Sequence, residues 1–169
     1  MIEMWAWLRK LAKWPSKEDL GAARLLGPCW EMTTPLDQAA FVRALHALLP
    51  RGATLYLQGG NPGLEVARCL SGLATMTTFN VAWGTAAPEP LVWHVPATRA
   101  KLEALAALFV DHAPHEICDH FHVYHARRVL VQWYDALSTD PVLLSTDLPA
   151  AGIQALAERC SCTCRRATA

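Results

Sequence analysis

Two histidines one residue apart, His120 and His122, are the side chains in this sequence best spaced for shared chemistry. On a strand, residues i and i+2 leave the same face about 6–7 Å apart, so both imidazoles can reach one metal ion. Asp119 would add a carboxylate ligand, and zinc or another divalent metal held there would acidify a bound water and support a metal-dependent hydrolase. Asp135 could orient an imidazole from behind or serve as a general base, and His94, His115 and His125 are further imidazoles that folding could bring near. His-x-His is a short signal, and no second ligand motif with defined spacing accompanies it. The plainer expectation is a pair of half-buried sheet histidines whose N–H groups are satisfied locally.

Two other stretches carry reactive or phosphate-binding residue types. Gly59-Gly60-Asn61-Pro62-Gly63 resembles a strand-to-helix turn of the kind that cradles phosphate, but it fits neither G-x-G-x-x-G nor the P-loop. Asn61 as N-cap with Pro62 at the first helical position explains it without a ligand. Cys160, Cys162 and Cys164 lack the C-x2-C spacing of ordinary zinc sites, and the sequence predicts a frayed tail over 160–169 whose thiols are activated by Arg165 and Arg166. No ordered Ser-His-Asp or Cys-His-Asp signature is present.

The element that must position His120 and His122 is a hairpin spanning 117–135. Ile117, Phe121 and Val123 alternate with His120, His122 and Tyr124, and Val129, Val131 and Trp133 alternate with Leu130, Gln132 and Tyr134, which is the period of strands. The short break His125-Ala126-Arg127-Arg128 lacks the Asn-Gly or Asp-Gly of an easily formed two-residue turn. Pairing Tyr124 with Val129 sets His122 opposite Val131, His120 opposite Trp133 and Cys118 opposite Asp135. One face then carries His120, His122, Tyr124, Trp133 and Asp135, the residues expected to form a binding surface.

Around the hairpin, hydrophobic periodicity and capping residues predict a strand at 29–32, a helix capped by Thr34 that runs from Pro35 to about Leu49 with Leu36 buried, and a strand at 53–58. A helix over 62–73, a strand at 91–95 with His94 opposed to Trp93, and a helix from Thr98 to His112 follow. After the hairpin come a strand at 142–145 and a last helix that starts near Thr146 or Asp147. Met1 to Trp14 reads as an amphipathic helix whose tryptophans would pack on its own domain or on a partner subunit, with an interfacial membrane helix as the alternative that its Trp and Lys/Arg suggest, and a second short helix is expected over 17–26. The order predicts a single α+β domain: one mixed sheet, helices packed mainly on one face, and an extra N-terminal helical segment over 1–26.

With 169 residues the chain can bury a core without disulfides or metals, and its 15 basic and 15 acidic residues balance, which disfavours a nucleic-acid partner. Isolated Cys29, Cys69 and Cys118, no secretory pattern and no run approaching the ~20 apolar residues of a membrane span lead to an expected cytoplasmic location. The leading expectation is a small non-catalytic binding or regulatory protein, adaptor or immunity-type, that contacts another protein or itself. Membrane-surface contact through residues 1–14 and the metal-dependent hydrolase are the alternatives.

Overall fold

Leu55 and Leu57 alternate with Tyr56 and Gln58, and this apolar–polar alternation runs through the middle of the sheet, giving it one face for helices and one of mixed character. A computed structural model describes residues 23–25, 27–76, 79–82, 90–135 and 140–167. Its strands are β1 (Cys29–Met32), β2 (Thr54–Gln58), β3 (Val92–Pro96), β4 (His120–His125), β5 (Arg128–Trp133), β6 (Val142–Ser145) and β7 (Cys164–Ala167). The helices are α1 (Gln38–Leu48), α2 (Leu64–Leu73), α3 (Arg99–Asp111) and α4 (Ala150–Arg159), with a 3-10 turn at Pro114–Glu116.

The strands form one sheet in the order β3-β2-β4-β5-β6-β1-β7, and every pairing is antiparallel. The architecture is therefore α+β as expected, but the sheet is antiparallel and not mixed. The helical connections between β1 and β2 and between β2 and β3 do not make neighbouring parallel strands; β1 instead lands between β6 and β7.

Side chains of one face, among them Leu55, Leu57, Val95, Phe121, Val123, Val131 and Trp133, join the apolar stripes of all four helices in one buried cluster. Phe41 of α1 meets Phe121 and Trp133 edge-on, with ring centroids 6.0 and 5.7 Å apart. Such burial supplies ~25 cal/mol per Å² of apolar surface removed from water, so this cluster is the main source of stability.

Local signals place the helices with small shifts. Asp37, and not Thr34, caps α1 by accepting the Ala40 N–H at 2.8 Å, which leaves Leu36 outside the helix and 94% exposed where burial is expected. Thr98 caps α3 as predicted, while α2 begins two residues later than expected with Gly63 at its N-cap, and α4 starts at Ala150 after Pro149. The frayed tail is instead β7, paired with β1 and held by Arg165, whose Nε and Nη2 both donate to Glu31. Both sheet edges are blunted, β7 by Arg165 and Arg166 and β3 by Pro96 and by the Thr75 N–H that donates to the His94 carbonyl at 2.7 Å.

The expected helix over 1–14 lies outside the described residues. Of the helix expected over 17–26, the described residues 23–25 are not helical, and Ala23 bridges Val81. Among residues 79–82, Val81 makes only that bridge, and Trp83 is outside the described residues. Among the described residues no helix is long and apolar enough to cross a membrane.

Candidate functional site on the second sheet face

The hairpin turns through Ala126 and Arg127, both with positive φ (46° and 66°), the backbone of a primed two-residue turn made without glycine. Tyr124 pairs with Val129 as expected, but the register then slips: Val123 faces Val131, so Leu130 is the extra residue of a β-bulge. Because side chains alternate with period two, one inserted residue exchanges the faces of everything beyond it. His122 consequently faces Gln132 and not Val131, and Phe121, not His120, faces Trp133. Val131 and Trp133 turn into the helical core, while Gln132 and Tyr134 stand beside the histidines. The expected surface of His120, His122, Tyr124, Trp133 and Asp135 is thus divided between two faces. Its buried members include His122 at 0%, Trp133 at 1% and Tyr124 at 7% exposure.

The imidazoles of His120 and His122 are parallel (3°) with centroids 6.4 Å apart, the spacing their positions on one strand dictate. Each is fastened to the partner strand through Nδ1: Asp135 N–H donates to His120 at 2.8 Å and Trp133 N–H to His122 at 3.2 Å. A neutral imidazole has one donor and one acceptor nitrogen, so accepting at Nδ1 puts the proton on Nε2. The Phe121 carbonyl also approaches His122 and favours its charged form, but the fixed Trp133 N–H cannot turn away and decides the tautomer. His122 Nε2 is buried without a hydrogen-bond partner among the described residues, and the Tyr134 ring lies edge-to-face with both imidazoles, 5.4 Å from His120 and 4.8 Å from His122.

Burial pushes the His122 pKa down to about 3, and the neighbouring His120 adds to the effect. Burial also lowers the His120 pKa, against the opposing pull of Asp119 and Asp135. Both rings are neutral donors at Nε2 near neutral pH, with no lone pair left over to bind a metal or accept a proton. Among the described residues no group of three or more His, Cys, Asp or Glu is placed to hold a metal. Asp119, the expected carboxylate ligand, accepts the Gly60 N–H at 2.9 Å instead and fastens the turn after β2 to the start of β4. Its Oδ2 lies 2.5 Å from where a Cβ on Gly59 would stand, and both glycines have positive φ (75° and 87°). The close approach of two strands therefore explains this glycine pair, and Asn61, expected as N-cap, spends its N–H on the His115 carbonyl.

Residues not singled out beforehand complete the face. Tyr56 stacks on His122 (5.8 Å, 11°) and donates its hydroxyl hydrogen to Gln58 Oε1 at 3.1 Å; His94 Nδ1 meets the Tyr124 hydroxyl at 3.1 Å. Burial lowers the His94 pKa to about 4. Gln132 Oε1 accepts the Leu25 N–H at 3.1 Å, and Ala23, Leu25, Phe79 and Val81 pack over Tyr56, Tyr124 and Val129. The available signal was the polar half of the alternation in β2 and β5, where Tyr56, Gln58 and Gln132 sit between core residues. The thiols at the C-terminus do not behave as expected: burial raises the pKa of Cys160 to about 11, with a smaller contrary pull from Arg159, and burial also raises that of Cys164.

No protein-family model, curated protein or solved structure matches the chain.

Proposed function

We propose that the chain acts by binding, either to another protein or to a second copy of itself, in a regulatory, adaptor or immunity-type role. The observation that carries this reading is a set of exposed apolar side chains at one end of the sheet. Leu64 opens α2 and is 77% exposed, Leu91 precedes β3 and is 56% exposed, and Val110 lies near the end of α3 and is 65% exposed. The backbone brings these segments to the same end, since Gly59 N–H donates to the Leu91 carbonyl and Asn61 N–H to the His115 carbonyl. Single exposed apolar residues are ordinary on a surface, but several at one end, where β2, β3 and β4 also terminate or begin, suit the apolar centre of an interface. The locked, neutral imidazoles support a non-catalytic reading by giving the second sheet face a role in holding β4 to β5.

Sedimentation of the full chain over a range of concentrations tests self-association, and a photo-crosslinking residue at position 91 in the source cells tests a foreign partner. The expected result is a dimer or one dominant adduct that Leu64→Glu removes. A strict monomer whose crosslinker yields no adduct would refute the reading.

A further inference from the structure

The helical side of the molecule holds a cleft of about 390 Å³ at the junction of α1, α3 and α4. Its charged walls are Arg43 of α1, Arg99 and Glu103 of α3 and Arg159 of α4, with His46 beside them. Three guanidinium groups thus come from three helices to one concavity. Among the described residues one of them is neutralised: Arg43 Nε bonds Glu103 at 3.0 Å. Neither Arg99 nor Arg159 has an ion-pair partner among the described residues.

The fold relieves their gathering unevenly: Arg159 is the last residue of α4, at the negative end of that helix dipole where a cation is favoured, and Arg99 has no such compensation. Arg99 is the first residue of α3, at the positive end of the helix dipole, where a cation is unfavourable. The whole chain has as many acids as bases, so the excess positive charge here is a local arrangement. Along α1 the side chains facing the cleft are small, Ala40, Ala44 and Ala47, and they keep its floor open between the long arms of the arginines.

We propose that this cleft binds a small molecule bearing oxyanion groups, phosphate or carboxylate, with Arg99 and Arg159 as its forked donors and Arg43 held in place by Glu103. A guanidinium presents paired N–H groups that match two oxygens of either anion, and the cleft volume lies within the size range of small-molecule sites. The site is separate from the apolar end proposed for protein contact and stands or falls independently of it.

Calorimetric titration of the full chain at low ionic strength with pyrophosphate and, separately, with citrate tests the assignment. Saturable one-site binding is expected, and whichever probe binds more tightly assigns the anion type. Losing two charged hydrogen-bond donors in Arg99→Gln/Arg159→Gln should weaken it by about tenfold or more. Arg99→Lys/Arg159→Lys keeps the charge but loses the fork, and should still weaken binding by roughly threefold or more. Both substitutions lie on exposed helix positions, and an unchanged urea midpoint verifies folding. The proposal is overturned if neither probe saturates, if the glutamine variant binds as well as the wild type, or if the lysine variant equals the wild type, which would reduce the effect to an unstructured field.

Discussion

Acid should unfold this protein through His122. Its ring is buried and neutral in the folded chain with a pKa of about 3, against an ordinary value of 6.5. The unfolded chain therefore binds a proton that the folded chain refuses, and stability present above pH 6.5 is lost as pH falls, until about pH 3 where both states are protonated. Each pH unit well inside this window costs about 1.4 kcal/mol for one such group, so His122 alone removes about 2 kcal/mol between pH 7 and pH 5. That is a large share of the 5–15 kcal/mol that holds a typical domain. His94, also lowered by burial but only partly buried, adds to the slope in the same direction.

Urea unfolding at pH 7 and pH 5 measures the loss, and His122→Asn isolates its source. Asn places an oxygen near the position of Nδ1, so the Trp133 N–H keeps an acceptor while the titrating group is gone. The variant should be less stable at pH 7, because the ring's packing against Tyr56 and Tyr134 is lost, but its loss between pH 7 and pH 5 should be smaller than that of the wild type by about 2 kcal/mol. Equal pH slopes in the two proteins would refute the reasoning, since they would mean that His122 is protonated as readily in the folded chain as in the unfolded one.

Two further outcomes follow from the same geometry. Gly59→Ala should destabilise the fold by about 1–3 kcal/mol in urea unfolding, because a Cβ there meets Asp119 Oδ2 at 2.5 Å on a backbone of positive φ; an unchanged midpoint would mean that the Asp119 contact is easily displaced. Added zinc should not raise the urea midpoint, since the Nδ1 atoms of His120 and His122 are occupied by backbone N–H groups; a stabilisation abolished by His120→Ala/His122→Ala would restore the metal-dependent enzyme.

Much of the fold is legible in local sequence. Thr98 and the apolar stripe after it define α3, the alternation around His120 and Val129 defines the hairpin, and Trp93 and His94 point to opposite faces as their adjacency requires. These features are local because helix and strand periods are set by residues a few positions apart. Leu36 marks the limit of that logic: a periodic apolar residue that a Thr34 cap would place inside the helix lies outside it, because Asp37 takes the cap.

What only tertiary structure decided is pairing. Val129-Leu130-Val131 is apolar throughout, so no alternation marks Leu130 as the inserted residue, yet that insertion sends Trp133 to the core and Tyr134 to the imidazoles. The chemical fate of the histidines follows from the same pairing, because the N–H groups that occupy their Nδ1 atoms belong to the opposite strand. Asp119 likewise finds its partner 59 residues away at Gly60. The sequence by itself determined that His120 and His122 share one face of a strand; contacts between distant segments decided that His122 is enclosed and that both Nδ1 atoms are engaged, since a side chain's availability depends on what packs against it and not on its spacing.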